Sequence, residues 1–127
     1  MSTLVAANIQ NTGSGAPTFK NTSGTEIGQL AKAWIQFNGT GTVSIRESFN
    51  FSSLTDNGTG DYTITFTTAM TDANYAVLGM TSESGNPNRM MAQREDSTIV
   101  NTSVRVGTFT TGGSVSDEEH NSVVVFR

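Results

Sequence analysis

The sequence predicts an all-β protein, an antiparallel β-sandwich of jelly-roll-like type with an extended N-terminal arm. Residues that favour strands, namely Val, Ile, Thr, Phe and Tyr, occur in short runs that alternate with period 2. Gly and Asn separate these runs about every ten to fifteen residues, which is typical of hairpin-rich sandwiches and barrels. The chain has 127 residues, which suits a single domain. We assign residues 1–28 to the arm and residues 29–127 to the sandwich.

The N-terminal arm contains few large apolar side chains. They are Leu4, Val5, Ile9, Phe19 and Ile27, set among many Asn, Thr, Ser and Gly residues. Such a segment cannot bury enough surface to form its own core, so we expect it to lie extended along another surface. Leu4, Val5 and Ile9 are the expected anchors.

Residues 25–36 fit two different structures. Apolar residues at helical spacing, with Ser23 and Glu26 placed as in a capping box, favour an amphipathic helix. Strand alternation, which puts Ile35 and Trp34 on opposite faces just before an Asn-Gly turn, favours a strand. We favour the strand. It leaves two alternatives for Trp34, the core or, because its side chain would point away from Ile35, a subunit interface.

The remaining strands follow from alternation and from turn residues. The tetrapeptide Asn-Gly-Thr-Gly occurs at 38–41 and again at 57–60, and Asn-Gly suits the two positive φ angles of a type I′ hairpin turn. We expect further strands at 43–49, 61–68, 75–80, 90–94, 98–100 with 103–106, and 122–126. The aromatic residues expected mainly in the core are Trp34, Phe37, Phe49, Tyr62, Phe66 and Tyr75.

Composition excludes several classes of protein. The chain has no cysteine, one histidine and a formal charge of −4, with seven Lys and Arg residues against eleven Asp and Glu. A disulfide framework and a thiolate metal site are therefore excluded. A phosphate-binding surface needs clustered cations, so we expect no nucleic-acid partner. No apolar run reaches membrane-spanning length, so we expect no membrane partner.

Few residues are suited to catalysis or metal binding. The only histidine, His120, follows three acidic residues at 117–119, and we interpret this stretch as a solvated loop before the last strand. The stretch 56–61 gathers oxygen ligands that could hold calcium, but a hairpin turn explains it better. The acids from which a glycosidase-like pair could be drawn are Glu47, Asp56, Asp61, Asp72 and Glu83. Most of them stand at turn positions, so we expect no enzyme activity, no cofactor and no metal.

Much of the chain resembles a module of phage structural proteins. The residues that carry the resemblance are Ala31-Lys32-Ala33-Trp34-Ile35-Gln36-Phe37, the first Asn-Gly-Thr-Gly turn with the strand to Arg46, and 48–50, 52–63, 66–70 and 72–75. The module is found in tail-fibre or virion fibre-like proteins of tailed phages, especially marine and cyanobacterial phages. The likeness is densest at 31–80. The segments 104–106, 112–113 and 123–126 look like the closing strands of this family.

The resemblance implies a homotrimeric β-structured protein on the virion surface, without catalytic residues. The arm looks like the short segment by which such fibres attach to a capsid or tail protein. Its shortness favours a short head fibre, a capsid decoration protein or a small tail component over a long fibre. The alternative is a carbohydrate-binding module that contacts host surface glycans through the loops at 82–89 and 110–120. The expected glycan contacts are Asn86, Asn88 and Arg89.

Overall fold

A computed structural model describes residues 3–6, 8–10, 17–86, 88–94 and 98–127. The regular secondary structure of these residues consists of β-strands alone, so the predicted all-β class is confirmed. The described part of the chain contains no helix long and apolar enough to cross a membrane. The chain divides into two units, residues 1–30 and residues 31–127.

The first unit contains a small hairpin. Strand β1 (Phe19–Lys20) pairs antiparallel with β2 (Glu26–Gly28). The Asn21 side-chain oxygen accepts hydrogen bonds from the backbone N–H groups of Ser23 (3.0 Å) and Thr25 (2.9 Å), which fixes the turn between the strands. The alternative of a helix with a capping box is therefore wrong, because the capping residues lie in a turn and a strand.

The second unit is a sandwich of two four-stranded antiparallel sheets, as predicted. Its strands are β3 (Ala33–Asn38), β4 (Ser44–Phe49), β5 (Phe51–Gly58), β6 (Asp61–Phe66), β7 (Ala76–Ser82), β8 (Arg89–Gln93), β9 (Ser103–Thr110) and β10 (His120–Phe126). The first sheet has the order β4-β3-β10-β7, and the second sheet has the order β5-β6-β9-β8. Residues 98–100, predicted as a strand, lie outside the strands.

One hydrophobic core lies between the two sheets. The first sheet contributes Ala33, Ile35, Phe37, Val123 and Val125, and the second contributes Phe51, Tyr62, Ile64, Phe66, Val104 and Val106. The Phe37 ring meets the Tyr62 ring edge-on, with centroids 5.0 Å apart. The predicted core positions of Phe37, Tyr62 and Phe66 are confirmed, whereas Trp34 and Tyr75 are half-buried.

The predicted core position of Phe49 is wrong, because its side chain is 54% exposed. The pairing of β3 with β4 contains a β-bulge between Gln36 and Phe37, where β4 uses one residue more than β3. An extra residue inverts the alternation of the strand beyond it. Phe49 therefore lies opposite Trp34 and faces away from the core.

Both Asn-Gly-Thr-Gly stretches form hairpin turns, but they are not of the predicted type I′. Positive φ angles in these turns belong to Gly41 (63°), Gly58 (127°) and Gly60 (62°) rather than to asparagine. The Asn38 amide instead donates to the carbonyl oxygen of Thr40 at 2.7 Å. Such local side-chain bonds stabilise the turn without a left-handed asparagine.

A left-handed asparagine does occur at Asn50, where the chain passes from the first sheet to the second. Its φ is 57°. The Asn50 amide donates to the carbonyl oxygens of Lys32 and Thr68, both at 3.1 Å, and its oxygen accepts the Thr68 N–H at 2.7 Å. These bonds replace ladder bonds at the corner and allow β5 to begin at once, a strand that we did not predict.

Candidate functional site

The outer face of the first sheet carries a continuous line of apolar side chains. Phe49, Trp34, Val124 and Leu78 are directly opposite one another on β4, β3, β10 and β7. Residues paired in this way point to the same side of a sheet, here the side away from the core. Leu78 is 57% exposed. We call these four residues the apolar row.

The neighbouring line on the same face is nearly uncharged. It consists of Glu47, Gln36, Ser122 and Met80, again on the four strands in order. Met80 is 79% exposed, and it widens the apolar surface beside Leu78. Contiguous apolar surface of this kind on a soluble domain usually marks a contact with another molecule.

A polar group borders this face at one end. The Arg46 guanidinium is in hydrogen-bond contact with His120 Nδ1. Glu119 Oε1 lies 4.0 Å from Arg46 Nη2 and 3.7 Å from His120 Nε2. All three side chains are well exposed, so the pairs contribute little to stability. Charges of both signs at this end leave the face without a strong field of one sign.

The outer face of the second sheet is polar around Thr63 and Arg105, where it contains a pocket of about 350 Å³, and it carries Met90 opposite Phe109 farther along. Thr63 on β6 and Arg105 on β9 are directly opposite each other and both line this pocket. The Asn57 amide donates to the Thr63 hydroxyl at 2.9 Å. The backbone N–H of Arg94 donates to the backbone carbonyl oxygen of Arg105, which places the two arginines side by side. The pocket therefore combines amide, hydroxyl and guanidinium groups.

The other side of the pocket is apolar. Ile99 and Val100 line it and are 42% and 39% exposed. The Tyr75 hydroxyl lies 3.0 Å from the Val100 carbonyl oxygen and 2.9 Å from that of Ser103, within donating distance of both. This contact fixes the segment that forms the apolar wall.

Both arginines of the pocket are engaged within the protein. Arg105 donates to the two carboxylate oxygens of Asp61 at 2.8 and 2.5 Å, and Arg94 Nη1 lies 3.6 Å from Asp61. The hydrogen bond from Arg105 holds the pKa of the Asp61 carboxyl below its ordinary value, and the charge of Arg94 acts in the same direction. Arg94 and Arg105 make further interactions besides these.

The acidic stretch before β10 is not the solvated loop that we predicted. Glu118 is completely buried. Its Oε1 lies 2.6 Å from Arg89 Nε, and the Arg89 guanidinium also pairs with Glu83. Arg89 belongs to the second sheet and Glu118 precedes the last strand of the first, so this buried ion pair ties the two sheets together.

The acidic stretch 117–119 also accepts hydrogen bonds from both Asn-Gly-Thr-Gly turns. The Gly39 N–H donates to the Glu118 carbonyl at 2.9 Å, and the Gly60 N–H donates to Asp117 Oδ1 at 2.7 Å. The Tyr62 hydroxyl donates to the same Asp117 oxygen at 2.8 Å. Burial raises the pKa of Tyr62, and Asp117 adds to the shift. A Cβ at Gly39 would lie 2.5 Å from the Tyr62 hydroxyl, so this close approach requires glycine.

Three of the acids considered for catalysis, Asp61, Asp72 and Glu83, contact arginines. The hydrogen bond from Arg127, followed by that from the Asn74 N–H, holds the pKa of the Asp72 carboxyl below its ordinary value. A general acid needs the opposite shift. Within the described ranges, no group of three or more His, Cys, Asp or Glu residues is placed to hold a metal ion.

The expected anchors of the arm are exposed. Leu4, Val5 and Ile9 have 78%, 91% and 63% of their surface accessible, and none of them lies in a strand. When a partner covers large apolar side chains in this state, the free energy falls by about 25 cal/mol per Å² of buried surface.

The expected glycan contacts lie at the β7–β8 connection. Asn86 bridges to Glu83, and its side-chain oxygen accepts the Asn88 N–H at 3.2 Å. The Arg89 side chain is only 10% exposed, between Glu83 and Glu118. Its guanidinium stabilises the fold and is not presented to a ligand.

Sequence analysis did not single out Phe49, Val124 or Leu78 as surface residues. One signal pointed to Val124: residues 123–126 are continuously apolar, whereas a strand with one face in water alternates. Continuous runs are typical of strands covered on both faces. No comparable signal points to the pocket, because Thr63, Arg94 and Arg105 are brought together only by strand pairing.

Comparisons of the chain with protein-family models, with characterised proteins and with solved structures find no match.

Proposed function

We propose that this protein is a non-enzymatic structural component of the surface of a phage particle. It is a short fibre, a capsid decoration protein or a small tail component that assembles with copies of itself as a homotrimer. The N-terminal arm attaches it to a capsid or tail protein, and the sandwich is displayed outward with a role in attachment to the host.

The apolar row is the observation that carries this proposal, because an exposed apolar sheet face is a feature of proteins that assemble. The exposed Leu4, Val5 and Ile9 support attachment through the arm. The lowered pKa values of Asp61 and Asp72 favour the ionised form and so argue against either carboxyl as a general acid. The resemblance to phage fibre-like modules supports the location.

Immunogold labelling of phage particles with antibodies against the full-length protein tests the location. We expect label at one structural position on the particle, and particles without label would contradict the proposal.

A phage that expresses the protein without residues 1–20 should assemble particles that lack it. Leu4→Asp should reduce incorporation, whereas Thr3→Asp, a charge at a neighbouring position, should not. Normal loading of the truncated protein would overturn the anchoring role.

The pocket on the second sheet favours a second candidate function, recognition of a host glycan. Its volume of about 350 Å³ lies in the usual range for small-ligand sites. Hydroxyl and amide groups on one side suit sugar hydroxyls, and Ile99 and Val100 on the other suit the apolar face of a sugar ring. Because Arg105 is already paired with Asp61, a neutral sugar fits better than an anion.

A glycan array probed with the wild-type protein tests this second function. Thr63→Val removes a hydroxyl from the pocket at almost constant volume, so we expect binding to weaken about fivefold to tenfold. Thr65→Val is the matched control, because Thr65 lies on the same strand and face but does not line the pocket. An array without any bound glycan, or equal effects of the two variants, would exclude this site.

A further inference from the structure

We propose that the outer face of the first sheet is the surface through which copies of this chain assemble, with the apolar rows of the subunits turned toward one another about the symmetry axis. The number of subunits in this inference, three, is taken from the proposed function. It goes further in assigning this face to self-assembly rather than to the capsid or tail protein.

At the level of the apolar row, the first sheet carries apolar side chains on both faces. On β3, Ile35 faces the core and Trp34 faces outward; on β10, Val123 faces the core and Val124 faces outward. Antiparallel sheets with one face in water keep that face polar, and strands that are apolar throughout are covered on both sides. The fold covers one side of this sheet, so the apolar row on its other side indicates a second covering layer over that row.

The side chains on this face are those that contribute most to protein interfaces. Aromatic residues and Met are enriched in interfaces, and Trp is among the most frequent hot-spot residues. The face places Trp34 and Phe49 side by side and Leu78 and Met80 at its far edge. The apolar row extends about 14 Å across the four strands, so it is broad enough for another sheet to pack on it.

The charges on this face favour a copy of the same chain as the occupant. The protein carries a net charge of −4, so two copies repel each other wherever acids cluster. The apolar row and the line beside it (Glu47, Gln36, Ser122 and Met80) together carry one charge, that of Glu47 on the edge strand β4. Arg46 adjoins Glu47, so the charged edge is close to neutral and can meet its own copy. Homo-oligomer interfaces are also more apolar than those of transient partners.

Sedimentation equilibrium of the full-length protein tests the inference. We expect the wild-type protein to sediment at three times the mass of one chain. Leu78→Glu places a charge in the apolar row and should raise the dissociation constant at least about tenfold. Ser53→Glu is the matched control, because Ser53 is exposed on the edge strand β5 of the second sheet. This variant should assemble like the wild type.

Met80→Glu provides a second test if Leu78→Glu does not fold, because Met80 is 79% exposed and contributes little to the core. A wild-type protein that is monomeric at all concentrations would overturn the inference, as would equal effects of Leu78→Glu and Ser53→Glu. A dimer sensitive to Leu78→Glu would support the face as the interface but overturn the proposed trimer. Label on phage particles together with a monomeric protein would overturn the inference and leave the proposed location intact.

Discussion

The two outer faces of the sandwich differ although the core between them is shared. On the second sheet, the residues that alternate with buried Tyr62 and Ile64 are Thr63 and Thr65, as expected for a face in water. On the first sheet, the outward residues include the apolar row, with Trp34 beside Val124, next to a line that contains Gln36 and Ser122. The fold therefore completes the burial of one side of the first sheet and leaves the apolar row on the other side uncovered.

On our proposal, the pattern of a strand reports every surface that covers it, including surfaces of other molecules. Around Thr63 and Arg105 the outer face of the second sheet is polar, so a ligand there would bind a preformed pocket. Exposure of the apolar row of the first sheet to water costs about 25 cal/mol per Å². The proposed assembly would remove this cost.

The largest expected effect compares two phenylalanines on paired strands. In a Leu78→Glu background, at a concentration at which sedimentation finds this variant monomeric, Phe37→Ala should lower the free energy of unfolding by about 3–5 kcal/mol, because it leaves a cavity in the core. Phe49→Ala should lower it by about 1 kcal/mol or less, because Phe49 is 54% exposed. Urea denaturation measures both. Equal losses would show that the two sides of the first sheet are not different in the monomer.

A smaller effect is expected where the two sheets are tied together. Glu118→Gln removes the charge that faces Arg89 in the interior, and we expect a loss of about 1–3 kcal/mol. The adjacent Glu119→Gln is the control, since Glu119 is 42% exposed in its side chain, and it should leave the urea midpoint unchanged. If Glu119→Gln proved the more harmful of the two, the buried pair would not stabilise the sandwich.

The smallest effect concerns pH and the second sheet. Because the pKa of Asp61 is lowered in the folded protein, the folded state binds fewer protons than the unfolded state in acid. The contribution of Asp61 to stability is present above its pKa in the unfolded chain, about 3.9, and is lost as the pH falls through its lower pKa in the folded protein. Asp61→Asn should be less stable than the wild type at pH 7.

In urea midpoints measured from pH 7 to pH 2, the Asp61→Asn and wild-type curves should therefore converge below about pH 4. Curves that stay parallel over the whole range would show that the Asp61–Arg105 pair does not contribute to the pH dependence.

The sequence predicted the sandwich because alternation and turn residues are local signals. Phe37, Tyr62 and Phe66 reach the core from strands that were recognised in this way. Phe49 was misplaced because one extra residue at a β-bulge inverts a strand, and a bulge leaves little trace in the composition of the strand. The left-handed Asn50 was missed for a similar reason, since its role depends on the carbonyl of Lys32, 18 residues away.

The candidate sites were harder to predict because they depend on strand pairing. Trp34 was expected in the core or, from its position opposite Ile35, at an interface. Its neighbours Val124 and Leu78 come from distant strands, and only the register places them in one line. Arg89 was expected to contact a glycan because it belongs to the polar loop 82–89, but Glu118 binds it in the interior.

The emission of Trp34, the only tryptophan in the chain, tests the central claim most directly, because this residue lies within the apolar row. On dilution of the wild-type protein, its fluorescence maximum should shift to longer wavelength as the subunits separate and water reaches the indole. The Leu78→Glu variant should reach the longer wavelength at a concentration at least about tenfold higher than the wild type does, and Ser53→Glu should follow the wild type. A wild-type maximum that does not change with concentration and equals that of Leu78→Glu would contradict assembly through this face.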